Sequence, residues 1–147
     1  MGLWDWALGA YERPGVPQAT LALQDAHGQN TSYLLWAVWA QTADAALLGR
    51  GAAVARAWDA SVLEPLRGVR RALKPAFPAV GDAAREALRA DVKAAELQAE
   101  RVLMESLETL GGAGDGAASI EALRAAVAAW AVTAPDQALQ GLADVLP

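Results

Sequence analysis

The sequence predicts an all-α protein, a compact bundle of about six helices. Alanine makes up about a quarter of its 147 residues, and Leu, Arg, Glu and Gln supply much of the rest; these are the strongest helix formers. No stretch alternates β-branched and polar residues with the period of two that a half-buried strand requires. Apolar residues recur instead at spacings of three and four, as on a helix with one buried face. A chain of this length buries roughly 68% of its unfolded surface, enough for a core without staples, and 1–147 reads as a single helical domain.

A first helix is expected over about Leu3 to Tyr11, stopped by Arg13-Pro14-Gly15 because proline disfavours helical geometry in the residue before it. The second, about Pro17 to Ala26, has proline in its first turn and Gly28 as a left-handed cap. Asn30 or Thr31 caps a third, with Leu34, Leu35, Val38 and Trp39 on its apolar face. That helix continues or restarts near Thr42, and Gly49 and Gly51 mark a break. From about Ala52 to Lys74, Trp58, Val62, Leu66, Val69 and Leu73 form one stripe on a helix that Pro65 should bend just upstream.

Lys74-Pro75-Ala76-Phe77-Pro78 is a stop. The longest helix runs from about Asp82 to Leu110, with Leu88, Val92, Ala95, Ala99 and Val102 forming a heptad-like seam suited to close antiparallel packing. A flexible glycine-rich linker, 111–118, precedes two C-terminal helices. Ser119 caps the first, which carries Ile120, Leu123, Val127 and Trp130; Thr133 and Asp136 form a capping box for the second, with Leu139, Leu142 and Leu146.

Composition excludes several functions. Cysteine is absent and histidine occurs once, so thiolate chemistry, the usual zinc sites and a di-iron carboxylate bundle have no ligands. The glycine-rich run lacks the lysine and preceding strand of a phosphate loop. No serine sits in a strand-turn-helix elbow. No metal, cofactor or catalytic residue is therefore expected. The N-terminus has no basic segment of a secretory signal. The uncharged run from Ala26 to Ala43 is interrupted by Gly28, Gln29, Asn30, Thr31 and Ser32, too polar for a membrane span. A cytoplasmic protein that binds neither membrane nor nucleic acid is the expectation, the latter because the net charge is −5.

That charge is uneven: residues 51–75 hold five basic and two acidic side chains in an otherwise acidic chain. Arg67, Arg70, Arg71 and Lys74 share about 100° of one helix, beside the apolar stripe. They either pair with Glu96, Glu100 and Asp25 to orient helices, or stay free for an anionic ligand or acidic partner. A second polar cluster, Gln24, Asp25, His27 and Asn30, lies at the joint between the second and third helices. These residues can cap exposed backbone groups there. Asp25, in the last turn, carries a charge that opposes the helix dipole and so calls for a cationic partner. Glu96 and Glu100, one turn apart, read as solvated or paired. Of six tryptophans, Trp36, Trp39, Trp58 and Trp130 belong to apolar stripes. Trp4 and Trp6 point about 200° apart, so one should cover the core and the other face a partner.

The segments LWDWALGAY, LALQDAHGQN…LLWAVW, WDASVLEPLRGVRRALK and AAELQAERV together resemble an uncharacterised family of small all-helical proteobacterial proteins. The resemblance spans about residues 3 to 105 and implies a compact helical cytoplasmic protein with no catalytic residues to carry over. The residues themselves favour a non-enzymatic binding or adaptor protein that uses the Arg67–Lys74 face. The alternative is a small anionic-ligand binder, or an enzyme, with a pocket between the 24–30 joint and the 67–74 helix. Oligomeric state is not legible.

Overall fold

The computed structural model describes residues 1–111 and 114–147. Among them every regular element is helical: α1 (Leu3–Tyr11), α2 (Val16–His27), α3 (Thr31–Trp39), α4 (Ala45–Trp58), a π-helical turn (Asp59–Leu63), α5 (Glu64–Ala72), α6 (Asp82–Leu110), α7 (Ser119–Trp130) and α8 (Asp136–Val145). Since α4, the π turn and α5 run on without interruption, these make seven rods.

The core is organised around α3. Residues Thr31 to Val38 are all buried, so the helix is enclosed on every side and has no single apolar face. That follows from TSYLLWAVW, which contains no charge; a helix apolar all round belongs in an interior. Asn30 caps it by accepting from Tyr33 N at 3.0 Å. α1, α2, α4, α6 and α7 pack around it. The Tyr33 ring lies between Trp36 and Trp130, with centroids 6.0 and 5.4 Å away. Burial pushes the Tyr33 phenol well above its ordinary pKa, with the Arg56 charge opposing the shift.

Gly49 and Gly51 do not break the chain; α4 starts earlier, at an Asp44 cap that accepts from Ala46 N at 3.0 Å, and runs through both. Gly51 is required inside the helix because the Trp36 indole occupies the space of a Cβ there.

The expected bend at Pro65 is a π turn. Proline has no N–H to donate into the preceding turn and its ring crowds the carbonyl four residues back, and the helix accommodates this by widening. The wider turn displaces the buried stripe. Ala55, Leu63 and Arg67 face inward, whereas Trp58, Val62, Leu66 and Leu73 are only half-buried and Val69 is exposed.

The bounds of α6 are as expected, yet the seam is not. Leu88 and Ala95 are exposed, and the buried face is Ala99, Leu103, Met104 and Leu107 in the C-terminal half. Short α5 packs on α6, with its Arg70 reaching Glu96. In the N-terminal half the buried residue is Arg85, held by Asp82, Glu86 and the Leu73 carbonyl.

Residues 112 and 113 of the glycine linker lie outside those described. Residues 115–117 are tied to the turn after α3: Ala117 N donates to Gln41 O at 2.9 Å and Ala43 N to Asp115 at 3.3 Å. The cap of α7 is Ala118, whose N–H meets Glu121 at 3.2 Å. Pro135, not Thr133, precedes α8, because Asp136 is taken by both arms of Arg124 at 2.7 and 2.9 Å. Trp36 and Trp130 are buried, and Trp4, Trp6, Trp39 and Trp58 are half-buried against the core. Neither N-terminal tryptophan stands free of it. Among the described residues no helix is long and apolar enough to cross a membrane.

Candidate functional site

The α2–α3 joint is built to be rigid. Gly28 adopts the left-handed conformation (φ 61°), and the Gln29 N–H donates back to Leu23 O at 3.1 Å, a Schellman-type closure of α2. The end of α7 and the turn after it then clamp it. Trp130 Nε1 donates to Gly28 O at 2.9 Å, and Gln29 Nε2 donates to His27 O at 3.0 Å and Val132 O at 2.7 Å. Two carbonyls around that nitrogen fix which way the amide faces. Its oxygen, Gln29 Oε1, is thereby a buried acceptor without a hydrogen-bond partner among the described residues.

Opposite the joint stand the π turn and α5. Arg67, 7% exposed, donates through Nη1 to Asp59 Oδ1 at 3.0 Å and through Nη2 to Gln24 Oε1 at 3.4 Å; Glu64 lies 3.8 Å away. Asn30 Nδ2 approaches the same Asp59 oxygen at 3.5 Å. Arg71 is exposed and only loosely associated with Glu64, at 3.9 Å. Between the two walls is an open cavity of about 330 Å³, lined by Gln24, Asp25, Gly28 and Gln29 on one side and by Asp59, Glu64, Arg67 and Arg71 on the other.

Of the residues expected at a site, Gln24, Asp25, Arg67 and Arg71 are brought together here, with Asn30 behind them on Asp59. His27 is half-buried at the end of α2 and does not line the cavity. Arg70 turns to α6 and pairs with Glu96 at 2.6 Å, and Lys74 points away, exposed. The arginine expected for Asp25 reaches Gln24, one residue earlier. Among the described residues Asp25 is thus an exposed carboxylate with no ion-pair partner, the nearby guanidinia being engaged by Asp59, Glu64 and Gln24. Asp59, Glu64 and Gln29 were not singled out from the sequence. A signal existed for Glu64, which sits three and seven residues before Arg67 and Arg71, helical spacings for opposite charges. Asp59 reaches Arg67 only through the wider π turn.

Glu100, on α6, is half-buried behind this site. Its carboxyl pKa is raised by burial, with the Arg67 charge opposing that shift and Glu96 adding to it. Glu100 and Gln24 also line a second cavity of about 510 Å³, with Leu8, Tyr11, Leu21 and Leu97.

Chemically the first cavity offers carboxylates, amides and guanidinia but no side-chain hydroxyl, thiol or amine and no histidine. Among the described residues no group of His, Cys, Asp and Glu is placed to hold a metal ion. A family model described as "Protein of unknown function (DUF2390)" matches residues 2–107. The chain belongs to this family. The DUF2390 span contains every side chain of the cavity, whereas Trp130 and Val132, which clamp the joint, lie beyond it. No curated protein and no solved structure matches the chain.

Proposed function

We propose that the protein is a non-enzymatic cytoplasmic binder of a small ionic metabolite, held in the cavity between the 24–29 joint and the π turn with α5. The observation that carries this reading is the pairing, across one concave site, of an unpartnered carboxylate with a loosely held guanidinium. Among the described residues Asp25 has no cation, and Arg71 has Glu64 only at 3.9 Å. A ligand with an anionic group for Arg71 and an ammonium for Asp25 satisfies both, and charge-assisted hydrogen bonds are the strong ones. Gln29 Oε1 supplies a further buried acceptor.

The cavity is favoured over a basic docking face by where the cations go. Arg67 and Arg70 are turned inward onto Asp59 and Glu96, which leaves Arg71 and Lys74 as the outward charges of the four.

The test is a thermal-shift and calorimetric panel of α-amino acids, simple carboxylates and inorganic phosphate. The expected result is stabilisation by an amino acid, of about 2.7 kcal/mol at one hundred times its Kd, that is lost in both Asp25→Asn and Arg71→Gln. An unresponsive protein, or a response that both variants retain, would overturn the reading.

A further inference from the structure

The 330 Å³ ionic cavity and the 510 Å³ cavity share a wall residue, Gln24. They follow one another along α2: Pro17, Thr20, Leu21 and Gln24 edge the second, and Gln24, Asp25, Gly28 and Gln29 edge the first. At 1.5 Å per residue, Leu21 and Gly28 are about 10 Å apart along the helix axis. The two ends differ in chemistry. The end beyond Gln24 is walled by Leu8 of α1, Leu21 of α2 and Leu97 of α6, exposed by 44, 57 and 53%. Three large apolar side chains from three helices thus converge, still wet, on one concavity. Isolated exposed leucines are ordinary, but a cluster around a cavity marks a surface that something covers.

Charge defines the head that would lie beside such a covering group. Around the two cavities the acids Asp25, Asp59, Glu64 and Glu100 outnumber Arg67 and Arg71. A purely anionic head would add to that excess, whereas a head that carries an ammonium as well leaves it unchanged and offers Asp25 a cation.

We propose that the two cavities are one continuous groove for a small zwitterionic amphiphile, its ammonium on Asp25, its acid group on Arg71, and an aliphatic chain running past Gln24 between Leu8, Leu21 and Leu97. This rests on the ligand reading above and extends it from an ionic head to a head with a tail.

Calorimetry with a straight-chain α-amino acid series, from alanine through norvaline and norleucine to 2-aminooctanoic acid, tests it. Each methylene that leaves water contributes about 0.8 kcal/mol, so affinity should rise about fourfold per carbon in the native chain. Octanoic acid, which has the tail but not the ammonium, should bind more weakly than 2-aminooctanoic acid. In the double variant Leu21→Gln/Leu97→Gln, both changes at exposed positions, the dependence on chain length should vanish while alanine binding stays as it was. A flat series in the native chain, or an equal gradient in the double variant, overturns the groove; if alanine binding still needs Asp25, the ionic site itself survives. If no member binds, both readings fail together.

Discussion

The Trp36 indole lies on the bare backbone of Gly51, in the space where a side chain at position 51 would have to go. This contact lets α3 and α4 approach closely at the centre of the molecule, and it makes two glycines of one helix opposite in character. Among the described residues, nothing outside the backbone of its own helix lies within 4 Å of a potential Cβ at Gly49. Gly49→Ala should stabilise by about 0.5–1 kcal/mol, the usual cost of glycine inside a helix. Gly51→Ala should destabilise by about 1–3 kcal/mol through overpacking, more than its gain in helix propensity. Urea unfolding of the two variants measures both, and equal signs would refute the assignment.

Arg67 and Asp59 form the most buried ion pair at the candidate site, with side chains 8 and 25% exposed. Arg67→Ala leaves the Asp59 carboxylate without its cation and should cost about 3 kcal/mol, as when one partner of a buried pair is removed. Replacing both, as in Asp59→Asn/Arg67→Met, should recover most of that loss. A single-variant cost below about 1 kcal/mol would mean that water screens the pair.

Glu100 gives the stability a defined pH dependence. Burial raises its carboxyl pKa in the folded protein above the ordinary value of 4.5. The folded state therefore binds the proton more tightly than the unfolded one, and stability falls as pH rises through that window. The cost is fully present above the raised pKa and disappears as pH falls toward the ordinary value. Glu100→Gln should accordingly melt higher than the native chain at neutral pH, with the difference shrinking in acid. A lower melting temperature at neutral pH would show that attraction to Arg67 and Arg70 outweighs burial.

Tyr33 joins three helices through its hydroxyl, which donates to Ala126 O at 2.9 Å and lies 3.3 Å from Leu48 O. Tyr33→Phe keeps the ring between Trp36 and Trp130 and removes that link. A loss of about 1 kcal/mol is expected, with the tryptophan fluorescence of the folded state unchanged.

Local rules located most helix ends. Proline at 14 and 75, the left-handed Gly28 and the Asn30 cap are signals that act within a few residues, and α1 and α6 fall where they predict. Burial was less legible. The stripe from Trp58 assumed one constant helical period, and the π turn changes that period where no residue announces it apart from Pro65. A seam through Leu88 requires a partner along the whole of α6, but α5 ends at Ala72. Gly49 and Gly51 read as breakers because the ring that requires Gly51 is fifteen residues away. At the candidate site the two polar clusters were visible separately. Their meeting depends on tertiary packing, and Gln29, clamped by Val132 from the far end of the chain, left no trace in its own neighbourhood.

The π turn acts as a phase shifter. A helix that kept 100° per residue from Leu48 onward would present a different side of α5 to its neighbours. Regularising residues 59 to 63 to ordinary α-helical hydrogen bonding, with all five residues kept, would rotate everything downstream by about 100°, because a π turn holds one residue more than an α turn in the same rotation. Arg67 would swing away from Gln24, and Arg70 from Glu96. The ionic site and the α5–α6 contact are thus set by a single residue absorbed in that turn, so regularising it at constant length would erase the cavity with every one of its side chains still present.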